Sequence, residues 1–203
     1  MKKLYERIED IHIKGGIEQL TEVVTAMDIS LQSIADNTEN LTDQLIKYSA
    51  SNKGAQYERV VKTAMSLRDA LSVASYDLND MQNQVVAYQN KVYRYEDMNV
   101  RAQKPNPYIV SKNRHVSVDT SEVEFRKNEM MAVAALLKKY SELVIHHVKI
   151  INEKKNSIGA VWRDSQYKTF SEFIDITRRK IGDAMRVFDE YYVYLEGKLK
   201  EVE

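Results

Sequence analysis

Cysteine is absent from the 203-residue sequence, and helix-breaking residues are scarce, with two prolines and six glycines. Without cysteine the chain forms no disulfide and no thiolate zinc site, although this leaves its compartment open. So few prolines and glycines are typical of long, uninterrupted helices. No run approaches about 18 apolar residues, so the sequence predicts no membrane-spanning helix.

Charge of one sign is also lacking, since 30 basic and 30 acidic residues leave a formal net charge near zero. Nucleic-acid binding depends largely on basic side chains that contact phosphates, so this balance argues against a nucleic-acid partner. Basic pairs such as Lys138-Lys139 and Lys154-Lys155 are scattered among acids. Binding to an anionic membrane surface is therefore the least favoured alternative.

The first residues lack the apolar block of a signal peptide. Two lysines, Lys2 and Lys3, are followed by alternating charged and apolar residues. We expect a cytoplasmic protein, which, if it is exported, leaves the cell without a cleaved signal peptide. Residues 1–16 are predicted to be an arm with a short amphipathic helix over residues 3–13, ended by Gly15-Gly16.

Residues 17–98 are predicted to form an antiparallel pair of helices. Apolar residues recur at alternating steps of three and four, which is a heptad pattern that buries one face of a helix. A turn-like stretch over residues 49–54 separates two such runs. The predicted buried positions are Leu20, Val24, Met27, Leu31, Ile34, Thr38, Leu41, Leu45 and Tyr48, then Tyr57, Val60, Ala64, Leu67, Leu71, Ala74, Leu78, Met81, Val85, Tyr88 and Val92.

Residues 99–120 interrupt the pattern and contain both prolines, Pro105 and Pro107. Proline lacks a backbone N–H and restricts the residue before it, so this stretch is not expected to be helical. A small β-hairpin around Lys112-Asn113 is one interpretation, and an exposed crossover loop is the preferred one.

Residues 121–203 are predicted to form a second pair of helices. The third helix is predicted to start near Asp119-Thr120-Ser121-Glu122, which supplies a capping residue and acids for a first turn. It carries two neighbouring apolar stripes and should contact more than one helix. These stripes are Val133, Leu136, Tyr140, Leu143, His147 and Ile150, beside Met130, Leu137, Val144 and Ile151. The stripe of the fourth helix is Tyr167, Phe170, Ile174, Thr177, Ile181, Ala184, Phe188, Tyr191 and Leu195.

The two halves match in register. They are related by a constant sequence offset, which equals the separation of Tyr57 from Tyr167. It is called the repeat offset below. It places the stripe from Tyr57 to Val85 on the stripe from Tyr167 to Leu195 without an insertion. A repeated supersecondary unit accounts for this match. The sequence therefore predicts an all-α protein of two long antiparallel helical hairpins, which form an elongated four-helix bundle or coiled coil.

The turn before the fourth helix resembles the WXG family of small helical-hairpin proteins, which belong to ESX-type (type VII) secretion systems of Gram-positive bacteria. Trp162-Arg163-Asp164 stands in place of the family's Trp-x-Gly, and the aromatic residues Tyr167 and Phe170 follow. Asp164 departs from the family's glycine, whereas the first copy keeps Gly54 and has Asn52 instead of tryptophan. A tryptophan in such a turn can cover the core with its ring while its N–H stays in water.

The family also carries a Tyr-x-x-x-Asp/Glu export signal after its second helix. Tyr192 with Glu196 fits this spacing, and so does Tyr93 with Asp97. A surface tyrosine near an acidic residue is the simpler interpretation of both pairs.

The resemblance implies a non-enzymatic secretion substrate, or a partner that pairs with a secretion component or toxin by helix–helix packing. The expected partner-binding residues are Trp162, Asp164, Tyr167, Phe170, Tyr191, Tyr192, Leu195 and Glu196. The alternative is a coiled-coil adaptor or scaffold that can also bind copies of itself.

No catalytic, cofactor or metal site is expected, and no small-molecule substrate, because the sequence contains none of the corresponding motifs. His146 and His147 are adjacent, so on a helix they point about 100° apart and cannot easily share a metal ion. Glu142 shares a face with His146, but no second Glu/His pair at di-iron spacing accompanies them. His147 falls in an apolar stripe and is predicted to be partly buried.

Overall fold

The structure, a computed structural model, describes residue 4 and residues 8–201. In this part of the chain it contains four helices and no β-strand, so the all-α prediction is confirmed. The helices are α1 (Gln19–Tyr48), α2 (Ala55–Tyr95), α3 (Lys127–Ile158) and α4 (Ser165–Glu201).

The heptad stripes predicted for α1 and α2 are the buried faces of these helices. Every predicted position from Leu20 to Leu45 and from Tyr57 to Val92 is buried, and Tyr48 is half-buried. In α3 one of the two predicted stripes is completely buried. It consists of Met130, Leu137, Val144 and Ile151. Because full burial of one such side chain contributes about 1.5–3 kcal/mol, these stripes hold the helices together.

The chain divides into two compact units, and each helix contributes one segment to each unit. Unit 1 comprises Met1–Ser33, Ala74–Ile109 and His147–Arg179. Polar contacts in unit 1 join α1 to α2, α1 to α3, α3 to α4, and α2 to the residue before α4, which are the neighbours expected in a four-helix bundle. The contacts are Asp28 with Gln82, Glu22 with Lys154, Lys155 with Asp175, and Tyr88 with Asp164.

Unit 2 comprises Ile34–Val73, Val110–His146 and Lys180–Glu203. The same four pairs of helices are joined here by hydrogen bonds of hydroxyl groups. The contacts are Tyr57 with the Leu45 carbonyl, Thr38 with Tyr140, Ser141 with Asp189, and Tyr191 with the Gln56 carbonyl. Each unit is therefore a four-helix bundle in its own right.

The start of α3 lies at Lys127, several residues after the predicted start near Asp119. The Asp119 carboxylate accepts hydrogen bonds from the backbone N–H and the hydroxyl of Ser121, which forms a local turn instead of a helix cap. The helix begins only after Arg126, whose backbone N–H donates to the side chain of Asn52. The cap of α3 thus comes from a residue distant in sequence, which local spacing does not reveal.

The connection between α2 and α3 contains no helix and no strand over residues 99–120, so the β-hairpin interpretation is wrong and the crossover is irregular. It is not an ordinary exposed loop, because Pro105, Val110 and Val116 are buried. Side chains of α2 bind its backbone. In unit 1 Asn79 donates to the carbonyl of Tyr108 at 2.8 Å.

In unit 2 the crossover is held in a similar way by Arg68. The Arg68 guanidinium donates to the carbonyl of Arg114 at 2.6 Å, and Arg114 itself pairs with Asp43 on α1. Buried backbone groups need such partners. The crossover is therefore part of the packed structure in both units.

The arm before α1 is extended where the structure describes it. Residues 8–16 form no helix, in contrast to the prediction for residues 3–13, of which residues 3 and 5–7 lie outside the described residues. Ile13 instead forms an isolated β-bridge with Trp162. Gly15 and Gly16 have φ values of 87° and 119°, a left-handed backbone that ends the extended arm before α1.

Candidate functional site: the two interhelical turns and a pocket in unit 2

The turn between α1 and α2 and the turn between α3 and α4 are built in the same way. The helix ends at Tyr48 and Ile158 differ by the repeat offset, and so do the helix starts at Ala55 and Ser165. Four backbone N–H groups in each turn bind matching carbonyls. They are Ser49 to Leu45, Ala50 to Lys47, and Ser51 and Asn52 to Tyr48, then Gly159 to Lys155, Ala160 to Ser157, and Val161 and Trp162 to Ile158.

A tyrosine hydroxyl closes each turn at the same place. Tyr57 donates to the carbonyl of Leu45 at 2.7 Å, and Tyr167 donates to the carbonyl of Lys155 at 3.2 Å. Both carbonyls lie in the last turn of a helix, where acceptors are in excess. Burial raises the pKa of the Tyr57 hydroxyl above its ordinary value, so the phenol stays a donor.

Each turn is also held by the extended segment that precedes the other hairpin. In unit 1 the backbone N–H of Arg163 donates to the carbonyl of His12 at 2.7 Å. In unit 2 the backbone N–H of Lys53 donates to the carbonyl of Glu124 at 2.8 Å. The donors Arg163 and Lys53 are separated by the repeat offset, whereas the acceptors His12 and Glu124 are two residues further apart.

Trp162 lies at the centre of an aromatic cluster in unit 1. Its ring stacks on Tyr88 with centroids 5.2 Å apart, and it packs against Phe170 at 5.5 Å and Tyr167 at 5.9 Å. Trp162 and Phe170 are fully buried and Tyr167 is half-buried. Neither Trp162 nor Phe170 offers surface to a partner, since both rings belong to the core.

The departure from the WXG pattern at Asp164 has a physical reason. This residue is only 4% exposed and precedes the first residue of α4. One carboxylate oxygen accepts from the indole Nε1 of Trp162 at 2.7 Å and from the backbone N–H of Gln166 at 2.9 Å. The other accepts from the Tyr88 hydroxyl and from the backbone N–H of His12 at 3.4 Å.

Asp164 is therefore both the N-cap of α4 and the acceptor that joins the aromatic cluster to the arm. Burial and the hydrogen bond to Asp164 raise the pKa of Tyr88, which keeps that phenol protonated. The indole N–H of Trp162 does not stay in water as expected, because Asp164 supplies a buried acceptor.

The first turn, in unit 2, has a hydrogen-bonded asparagine in place of the aromatic cluster and its carboxylate. Asn52 is buried like Trp162, but its side chain accepts from the backbone N–H of Arg126 and donates to Glu129 at 2.7 Å. Hydrogen bonds from Ser51 and Asn52 lower the pKa of Glu129. Gly54, where the second copy has Asp164, has a φ of 94°, a conformation that side chains disfavour.

A pocket of about 640 Å³ lies beside the first turn in unit 2. Its walls come from the turn, the segment before α3, the first turn of α3 and the C-terminal part of α4. They are formed mainly by apolar side chains and by the aliphatic parts of polar ones. The lining is Asn52, Lys53, Gly54, Ala55, Gln56, Tyr57, Val123, Glu124, Phe125, Met130, Tyr194, Leu195, Lys198, Leu199 and Glu201.

One of the predicted binding residues near the C-terminal part of α4 lies in this pocket. Leu195 lines it, whereas Tyr191 and Glu196 are half-buried and Tyr192 is 9% exposed. Burial and a hydrogen bond to Glu196 raise the pKa of Tyr192 to about 12. The structure thus divides the predicted site between two units, with Trp162, Asp164, Tyr167 and Phe170 in unit 1 and Tyr191, Tyr192, Leu195 and Glu196 in unit 2.

Leu4 and Lys155 are among the buried residues of unit 1 that sequence reasoning missed. Leu4 is fully buried in the same core cluster as Trp162, and its backbone N–H donates to the side chain of Gln84 at 3.2 Å. Lys155 is buried and pairs with Asp175 at 2.7 Å, where the first hairpin has Leu45. Only the repeat offset could have pointed to Lys155, because it assigns this lysine to a core position.

A metal centre has no support in the described residues, where three or more His, Asp or Glu side chains nowhere cluster as ligands would. His147 is half-buried as predicted, and its Nδ1 lies 3.3 Å from the Ser30 hydroxyl. None of the described helices combines the length and the apolar character needed to cross a bilayer.

Comparison with known proteins identifies no family for the chain. No protein-family model and no curated protein matches the sequence. An archaeal Dps homologue from Halobacterium salinarum, known from a crystal structure, aligns with 95% of this chain and 93% of its own chain, at 12% sequence identity and a TM-score of 0.37. A likeness of this size bears on neither fold nor function.

Proposed function

We propose that this chain is a non-enzymatic interaction protein, a tandem of two WXG-like hairpins that serves as a secretion substrate or pairs with an effector. The repeated turn supports the proposal, since the same four backbone hydrogen bonds and the same tyrosine contact recur at the repeat offset. A duplicated hairpin with WXG-type residues at its turns fits a binding protein better than a catalyst.

The partner would bind at unit 2. In each unit the four helix segments already pack on one another, so a partner helix has no vacant place in the bundle. Around the C-terminal part of α4, however, Val193 and Tyr194 are exposed and Tyr191 is half-buried. Exposed apolar residues beside a pocket are typical of binding surfaces.

An export component would have to recognise the Tyr192–Glu196 pair from the exposed side of α4. Tyr192 packs inward, so Glu196 and the exposed neighbours Val193 and Tyr194 are the groups within reach. The pair in the first hairpin also has a buried tyrosine, Tyr93, but its acid, Asp97, lies beyond the end of α2 with a φ of 52°.

A self-associating scaffold is the second candidate. Each of the four helices carries at least one large apolar side chain that is about half exposed, and such residues can join copies of the chain. They include Ile29, Tyr76, Ile145 and Val187. A membrane-surface role receives less support, because basic residues such as Lys149, Lys168 and Arg186 lie beside acids four residues later on the same helix.

The decisive experiment is a tagged pull-down from the native cells, combined with detection of the protein in the culture medium. The proposal expects an intact protein in the medium and capture of a secretion component, a small helical hairpin or a toxin. Glu196→Ala should abolish export, and Glu190→Ala, an exposed acid on the same helix, is the matched control.

Three results would count against the proposal. They are retention of the wild-type protein in the cells, equal export of the Glu196→Ala and Glu190→Ala variants, and capture of the chain itself alone. The last of these would favour the scaffold.

A further inference from the structure

The pocket in unit 2 corresponds to a filled space in unit 1. With the repeat offset, Tyr57 corresponds to Tyr167 and Leu195 to Val85, so the walls of the pocket correspond to the surroundings of Trp162. In unit 1 this space holds the indole of Trp162 and the side chain of Leu4, both fully buried.

Three differences between the copies leave the space in unit 2 open. A small polar side chain replaces the indole, a lysine replaces the stacked phenol, and a glycine replaces the capping carboxylate. The pairs are Asn52 for Trp162, Lys198 for Tyr88, and Gly54 for Asp164. Asn52 cannot fill the pocket, since its side chain is bonded to Arg126 and Glu129.

The crossover explains why the part of the chain that the structure describes does not cover the pocket. In unit 1 Leu4 is eight residues before His12, whose carbonyl binds the second turn. The residue equally far before Glu124, whose carbonyl binds the first turn, is Val116, which is buried but does not line the pocket. This part of the crossover is held against α2 instead, because the Arg68 guanidinium donates to the carbonyl of Arg114 at 2.6 Å.

We propose that the pocket in unit 2 binds a segment of a partner protein, which inserts a tryptophan or another bulky apolar side chain where unit 1 holds Trp162 and Leu4. This inference rests on the proposed function as an interaction protein and adds the place and the chemistry of binding. Aromatic anchors that enter preformed apolar pockets commonly supply most of the energy of an interface.

The surroundings of the pocket favour a protein over a fatty acid. Both lysines of the lining have acidic partners, Lys53 with Glu122 and Lys198 with Glu201, so neither is an uncompensated cation for an acyl carboxylate. At the rim Val123 is 87% exposed, and it can add apolar contact area for a polypeptide.

The test is a titration of the full chain with N-acetyl-tryptophanamide, in which methyl NMR monitors binding. We expect saturable shifts at Met130, Leu195 and Leu199, which line the pocket, and none at Val85 beside Trp162. Ala55→Trp, an exposed lining position, should fill the pocket and weaken binding by about tenfold or more.

Two further variants distinguish binding in the pocket from non-specific binding to exposed apolar residues. Val123→Asp places a charge at the rim and should also weaken binding, whereas Val187→Asp changes an exposed valine of unit 2 outside the pocket and should not. Both side chains are exposed, so neither variant should prevent folding. Circular dichroism of each variant checks this.

Several outcomes would overturn the proposal. They are shifts spread over Val187 and other exposed residues, shifts unchanged by Ala55→Trp, saturable binding of dodecanoate but not of the tryptophan probe, and self-association in sedimentation that Val123→Asp removes. If the probe binds but export and partner capture fail, the pocket stands and the secretion role falls. If partners are captured equally by the Ala55→Trp variant, the interaction role stands and the pocket falls.

Discussion

Tyr57 and Tyr167 occupy equivalent positions, and each donates its hydroxyl to the carbonyl of the residue twelve positions earlier, at 2.7 Å and 3.2 Å. The acceptors are a buried leucine in the first hairpin and a buried lysine in the second. The tyrosine contact therefore persists although the side chain of the acceptor residue has changed completely. A contact through the backbone tolerates such a change, because the carbonyl is the same in every residue.

The first prediction concerns these two hydroxyls. Tyr57→Phe and Tyr167→Phe should each lower the free energy of unfolding by about 1 kcal/mol, since each removes one hydrogen bond and leaves the ring in place. We expect the larger loss for Tyr57, which makes the shorter and more buried bond. Urea unfolding measures both changes. Tyr76→Phe, at an exposed position, is the control and should have no effect.

The second prediction concerns Asp164. Asp164→Gly introduces the glycine of the WXG pattern, and it should destabilise the protein by about 3 kcal/mol, because it removes an N-cap and leaves buried donors without an acceptor. Asp164→Asn keeps one acceptor oxygen and should cost less. Thermal and urea unfolding give both values. If Asp164→Gly left the free energy of unfolding unchanged, the donor groups of Trp162 and Tyr88 would have found other acceptors.

The third prediction concerns the crossover. Val110→Ala should lower the free energy of unfolding by about 2 kcal/mol, because a fully buried side chain loses two methyl groups. Proteolytic cleavage between residues 99 and 120 should become faster in this variant. Val100→Ala, at an exposed position of the same segment, should change neither. Equal cleavage of the two variants would show that Val110 does not anchor the segment.

The fourth prediction concerns alkaline pH. Burial raises the pKa of Tyr191 and of Tyr192 to about 12, and it also raises the pKa values of Tyr57, Tyr88 and Tyr140. The folded state binds protons more tightly than the unfolded chain, whose tyrosines titrate near pH 10. The contribution of these tyrosines to stability should therefore be fully present below pH 10 and be lost as the pH rises toward 12 and beyond.

Urea unfolding at pH 8, 10 and 11 tests this expectation, with phenolate absorbance to follow ionisation. Tyr192→Phe should reduce the loss of stability between pH 10 and 11, whereas Tyr76→Phe should not, because Tyr76 is exposed. If the wild type and Tyr192→Phe lost the same amount of stability between pH 10 and 11, ionisation of Tyr192 would not be coupled to folding.

Periodicity predicted the helices because burial of one face decides them. The stripes from Leu20 to Leu45 and from Tyr57 to Val92 are buried throughout, and the repeat offset reappears in the helix boundaries. The start of α3 was not predictable in this way. It depends on Asn52, which is distant in sequence and caps the helix from another turn.

The candidate site was less accessible to sequence reasoning. Trp162 and Phe170 were expected to meet a partner, but a large aromatic residue at a turn can equally fill the core, as both do here. Spacing alone does not distinguish these outcomes. The pocket in unit 2 is formed by segments that are distant in the sequence. Why it is open becomes clear only when the surroundings of Asn52 are compared with those of Trp162.

The bond between His12 and Arg163 has a consequence for the order in which the chain can fold. Synthesis proceeds from the N-terminus at about 5–20 residues per second, so the arm leaves the ribosome seconds before the turn that donates to it exists. During that interval Leu4 and Tyr88 have no Trp162 to pack against. The first hairpin is therefore completed only by the second, and a chain interrupted before residue 162 would expose the apolar surface that the finished protein buries.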